Sequence, residues 1–162
     1  IFSILTKKTP GIGLGVVVSK KNSENIPDRN SIRRKVYNIL SNNAALTAVV
    51  STRINPLRIP QESAFPAISY QMVSVIPHPS KSGTSKSDFA RVQINSFGTS
   101  YQSAVQVADL VRNAMQLTLP ATFNSVFVQT CEYDGEAHMS EDNAGFAGIY
   151  HIAQDYIINY NK

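Results

Sequence analysis

Hydrophobic and polar positions along this chain switch period several times, and each switch marks an element. After residue 28, apolar side chains recur at Ile32, Val36, Ile39 and Leu40, the offsets of one helical face, with Arg33, Arg34 and Lys35 largely off it. Residues 28–31 offer several side chains able to cap that helix at its start. Beyond the Asn42-Asn43 stop, Leu46, Val49 and Val50 predict a second, short helical stretch, and Pro56, Pro60 and Pro66 then forbid a long regular element. The period changes to two over residues 67–76, a strand with Ile68, Tyr70, Met72 and Ser74 on one face. It does so again over 89–97, where Ala90, Val92 and Ile94 oppose Phe89, Arg91, Gln93 and Asn95. The interval 77–87, rich in Ser with Pro, Lys and Gly, has the composition of a long hairpin loop, so the two strands pair antiparallel.

Helical spacing returns over 100–116, with Tyr101, Ala104, Val105, Ala108, Val111 and Met115 on one stripe and Ser100 as its cap. Residues 125–133 and 146–160 are β-branched and aromatic strands, joined by an acidic, Gly-containing loop over 134–145. Two separated helices over one mostly antiparallel sheet make an α+β two-layer sandwich. Residues 1–27 follow neither period. Gly11, Gly13 and Gly15 break their small apolar patches, so this stretch reads as an extended N-terminal arm ahead of a domain over 28–162.

Composition supports a single domain: 162 residues with 43% hydrophobic content are enough for a real core. No apolar run approaches the length needed to span a bilayer, and Lys7, Lys8, Lys20 and Lys21 interrupt the N-terminal patches in an order unlike a secretory signal. Charge is segregated. Through Ile59 ten Lys/Arg face two acids, a net +8, whereas from Pro60 onward five face nine, a net −4. A solvated basic helix and a solvated acidic loop account for this pattern within one subunit, and head-to-tail contact between copies would also bring such opposite signs together.

Candidate chemistry is sparse. The Gly11-Ile12-Gly13-Leu14-Gly15 run lacks the spacing and the Gly-Lys-Ser/Thr of phosphate-binding loops. His78, His138 and His151 are far apart; His138 with Glu136, Glu141 and Asp142 is the best group of potential metal ligands, but at no fixed helical spacing. No serine lies in Gly-x-Ser-x-Gly. The single Cys131 has no disulfide or zinc partner and reads as a small buried strand residue. Arg29, Arg33, Arg34 and Lys35 invite a nucleic-acid reading, yet no known binding motif accompanies them. No catalytic, cofactor-binding or metal-binding residue is therefore singled out, and no cofactor is expected.

Several ordered segments together resemble the phage tail-completion family, related in role to the tail terminators of long-tailed phages. They are Ser31 to Tyr37, Leu40 to Val50, Thr52-Arg53-Ile54-Asn55-Pro56, Pro66-Ala67-Ile68-Ser69-Tyr70-Gln71, Ala90 to Asn95, Tyr101 to Met115, and Gly148-Ile149-Tyr150-His151 with Asp155-Tyr156. Asn55 and Leu57 stand where a bulky aromatic or Gly is more usual. The resemblance spans roughly residues 29–160 and leaves the arm unexplained. It implies a structural, non-enzymatic virion protein assembled in the host cytoplasm into a homo-oligomeric ring, usually sixfold, at the head-tail junction. Its implied partners are the tail tube protein and the head connector or head-completion protein; genomic DNA passes through the lumen without specific binding, and no membrane is involved. A head-tail connector adaptor and a small nucleic-acid-binding protein are the alternatives.

Two sets of contact residues follow. In the arm, Val16, Val17 and Val18 are expected to add to a sheet edge of another subunit, with Lys20 and Lys21 at the rim. In the loops, Lys81 and Lys86 of the first and Glu136, Glu141 and Asp142 of the second are the candidates, and at least one of these loops is expected to contact the tube or the connector.

Overall fold

The computed structural model describes residues 29–79, 81, 83, 85–116, 121–123, 126–141 and 148–161. The chain runs α1 (Arg29–Ser41), α2 (Ala44–Val50), β1 (Ile54–Pro56), β2 (Ala67–Pro77), β3 (Ser87–Gly98), α3 (Tyr101–Gln116), β4 (Ala121–Phe123), β5 (Val126–Glu141) and β6 (Ile149–Asn161). The strands form one sheet in the order β1-β2-β3-β6-β5-β4. Only the β1–β2 pair is parallel; every other neighbouring pair is antiparallel. The arm predicted over 1–27 lies outside the described residues.

Strict alternation on the central strands decides which face is covered. Ala90, Val92 and Ile94 of β3 and Tyr156, Ile158 and Tyr160 of β6 are buried in one cluster with Ile32, Val36 and Leu40 of α1 and Val107, Val111 and Met115 of α3. Each such large apolar side chain contributes about 1.5–3 kcal/mol when fully removed from water. The helices thus form one layer on one face of the sheet, the α+β sandwich that the periodicity predicts.

Local chemistry sets the helix ends. Asn43 caps α2, its Oδ1 accepting from the Leu46 backbone N–H at 2.9 Å. Ser100 does the same for α3, accepting from Ser103 N–H at 3.2 Å. Just before it, a Cβ added to Gly98 would stand 2.7 Å from the Ala104 nitrogen, so the missing side chain allows α3 to start tight against the end of β3.

The structure corrects several boundaries. β5 does not end at Tyr133 but continues to Glu141, so much of the predicted acidic loop is strand. The reason is its partner: β6 is long enough to pair with β5 from Val128↔Tyr160 to Glu141↔Ile149, and irregularities at Val128/Thr130 and Tyr133/Gly135 absorb the extra residues. Similarly, a bulge between Met72 and Ser74 reverses the alternation of β2, setting Ser74 opposite Arg91 on the uncovered face and Val75 opposite Ala90 on the helix face. On α3 the buried stripe includes Val107 and Ala114, while Tyr101 is 52% exposed. The short strands β1 and β4 carry no signal of their own, being three residues each. Among the described residues no helix is long and apolar enough to cross a membrane.

Candidate assembly surface

The face of the sheet turned away from the helices is polar and internally connected. Across β2, β3 and β6, Ser69 Oγ accepts from Asn95 Nδ2 at 3.3 Å, and Asn95 Oδ1 lies 3.0 Å from His151 Nε2. The His151 ring stacks on Phe97 at 4.5 Å between centroids, and Phe65 covers Phe97 from the other side of the strand pair at 6.4 Å. One row on, Gln71 donates to Gln93 at 2.9 Å. Arg91 then reaches Asp134 at 2.6 Å and Asp155 at 3.7 Å. These charged groups are partly exposed, so solvent screens them and their worth lies in orientation rather than stability.

A second network runs up the other face, at the end of the sheet where α3 begins. Tyr101 Oη lies 3.0 Å from His138 Nδ1, and His138 Nε2 lies 2.9 Å from Glu136 Oε1. Gln154 donates to Glu136 Oε2 at 3.0 Å and accepts from Tyr156 Oη at 3.1 Å. Hydrogen bonds from His138 and then Gln154 hold the Glu136 carboxyl below its ordinary value. This chain of contacts ties the projecting half of β5 to α3 and to the core tyrosine of β6. Cys131 lies on β5 as expected but is half-buried rather than buried, and desolvation pushes its thiol up to about 12.

The predicted contact residues divide accordingly. Lys81 and Lys86 are exposed at the tip of the β2–β3 hairpin. Glu136 belongs to strand β5 rather than a loop and is already engaged by His138 and Gln154. Glu141 is the last residue of β5, while Asp142 and Val16, Val17, Val18, Lys20 and Lys21 lie outside the described residues. The pairing brings the two loop sets to opposite ends of the sheet, since Ser87 faces Asn161 and Glu141 faces Ile149. The length of β6 between those positions separates them by roughly 40 Å.

Elsewhere, a groove of about 640 Å³ is lined by a single loop that includes Arg58, Pro60, Glu62 and Phe65. Among the described residues no group of three or more His, Cys, Asp or Glu side chains is placed to hold a metal. Sequence reasoning missed the Arg91–Asp134–Asp155 cluster and the Tyr101–His138 contact. The polar half of the alternation on β3 and β6 carried a signal for the first; nothing in the sequence aligned Tyr101 with His138.

The family described as "Tail completion protein gp17" matches residues 34–160. A solved structure described as "Virion of native gene transfer agent (GTA) particle" contains a chain of the same fold, with a TM-score of 0.72 at 15% identity over 85% of this chain and 100% of that one. No curated protein matches.

Proposed function

Because the chain belongs to the tail completion protein gp17 family and is thus a structural protein of a phage virion, we propose that it is the tail-completion or tail-terminator subunit. In this reading copies close into a ring at the head-tail junction, six being the number that the family resemblance implies, cap the tail tube and join it to the head connector. The role is assembly, not catalysis.

The observation that supports this placement is the two-ended sheet. Lys81 and Lys86 at one end and Glu141 at the other stand far enough apart to meet different neighbours, one a tube ring and the other a connector. DNA passes through the lumen without specific contact. The arm crosses to another subunit or a neighbouring ring, with Val16, Val17 and Val18 on a sheet edge and Lys20 and Lys21 at its rim. A position on the connector itself, as an adaptor, uses the same two ends in the opposite order.

Sedimentation of the full chain with and without tail tube protein tests the ring: a closed oligomer is expected, and monomer alone in the presence of tubes would sink the proposal. Removing residues 1–27 should leave a folded core that assembles or joins poorly. A large loss of thermal stability in the isolated subunit would instead place the arm in its own core.

A further inference from the structure

The strands next to the two margins of the sheet are each only partly covered. β1 occupies β2 at Ile68–Tyr70, and β4 occupies β5 only at Val126–Val128. Among the described residues, the outer edges of 71–77 on β2 and 129–141 on β5 have no partner strand. Following the registers across the sheet puts these edges level: Ile76 aligns through Phe89 and Asn159 with Thr130, and Gln71 through Gln93 and Asp155 with Gly135. Thus 71–76 and 130–135 are open windows of the same height on opposite margins.

Their directions also fit. Three antiparallel steps separate β2 from β5, so the two strands run oppositely in one subunit. A second copy set beside the first by rotation therefore offers its β2 antiparallel to the first copy's β5, on the same face, with the alternation of the sheet unbroken. Solitary edges are normally blunted by Lys, Pro or inward charge. The 71–76 edge has none of these, its one irregularity being the Met72/Ser74 bulge, and it exposes Val73 (52%) and Ile76 (61%).

The bulges of β5 bracket the window. One, at Val128/Thr130, lies beside Ala121 at the start of β4, and the other, at Tyr133/Gly135, is level with Gln71 of the facing copy, just past the Tyr70↔Pro56 pairing at the end of β1. A bulge bends its strand, here allowing β5 to step out around β1 instead of colliding with it. Charge agrees as well: beyond Asp134 and Glu136, which are held within the subunit, β5 carries Glu132 and Glu141 with no Lys or Arg, whereas the chain flanking the other edge carries Arg58, Lys81 and Lys86 against Glu62.

We infer that 71–76 of one copy pairs antiparallel with 130–135 of the next, carrying the sheet from subunit to subunit as a head-to-tail, ring-forming contact. This rests on the ring proposed above and names the contact that builds it. At equal height Ser74 of one copy faces Glu132 of its neighbour.

The test uses the full chain in a Cys131→Ser background. Ser74→Cys combined with Glu132→Cys should yield, on oxidation, a ladder of covalent oligomers, and each single cysteine variant should yield none. Val73→Lys should shift the native mass toward the 17.8 kDa monomer while leaving the thermal midpoint unchanged. In the unaltered protein, the amides of 71–76 that point away from β3 should exchange slowly in the oligomer and quickly in dilute monomer, a readout that needs no variant to fold. A ring with no cross-links and unprotected amides overturns the inference while leaving the ring proposal intact. So do disulfide dimers of the Ser74→Cys variant alone, which mark a two-fold contact, and cross-links of Val17→Cys to Ser74→Cys, which mark the arm as occupant. A wild-type monomer that stays monomeric beside tail tubes overturns the ring proposal itself and this contact with it.

Discussion

His138 is gripped from two sides, by the Tyr101 hydroxyl and by the Glu136 carboxylate, and that carboxylate is in turn held by Gln154. Every donor in this set favours the ionised form of Glu136, which is why its carboxyl lies below the ordinary value of 4.5. The sign of the linkage follows. A group with a lowered folded-state value contributes stability that is fully present above its unfolded value and is lost as pH falls through the folded one. Glu136 should therefore steepen the acid limb of the stability curve from about pH 4.5 downward. Glu136→Gln should flatten that limb and leave the curve near pH 7 shifted by no more than the modest worth of a partly exposed pair. Thermal melts of both proteins between pH 3 and 7 measure this, and superimposable acid limbs would refute it.

Among the elements, α2 shows how much a single cap decides. Seven residues are too few to hold a helix by propensity, so α2 depends on burial of Leu46 and Val50 and on the Asn43 side chain that satisfies Leu46 N–H. Asn43→Ala should cost about 1 kcal/mol, whereas Asn42→Ala, one residue earlier and exposed, should cost little. Denaturant midpoints of the pair decide it; equal losses would mean the cap is idle. The same elements show what the sequence makes legible. α1, α3, β3 and the first part of β2 follow from uninterrupted periods of Ile32, Val36 and Leu40, or Ala90, Val92 and Ile94, because one covered face imposes one rhythm. β5 beyond Tyr133 was illegible because its order comes from pairing with β6, not from apolar content: Asp134, Gly135 and Glu136 read locally as turn residues. The bulge after Met72 likewise has no local sign, and neither do the strands β1 and β4, whose three residues are too few to show a period. Of the contact surface, the basic hairpin tip was visible as composition. The level, opposed edges of β2 and β5 were not, since they exist only once registers through three strand pairs are known.

At the scale of the whole molecule, the sheet separates what holds the subunit together from what reaches its neighbours. The core lies between the helices and β2, β3, β5 and β6, and the β2–β3 hairpin is closed below its tip by His78 N–H donating to the Ser87 carbonyl at 3.0 Å. Among the described residues beyond that bond none belongs to the core: Lys81 and Lys86 are exposed, and the buried cluster stops short of them. Shortening the tip by deleting residues 80–85 removes Lys81 while keeping the strands that flank it, so the thermal midpoint of the subunit should hold. The intersubunit window at 71–76 lies below the closing bond and is also retained, so oligomers of unchanged mass should form. What should suffer is the step that uses this end of the sheet. Phage carrying the shortened hairpin should accumulate filled heads and terminated tails of normal length that fail to join. If tube capping is the step served by this end instead, tails of uncontrolled length should appear. Counting joined particles and measuring tail lengths by electron microscopy distinguishes the two, and a normal yield of infectious phage would show that neither neighbour is met through the hairpin tip.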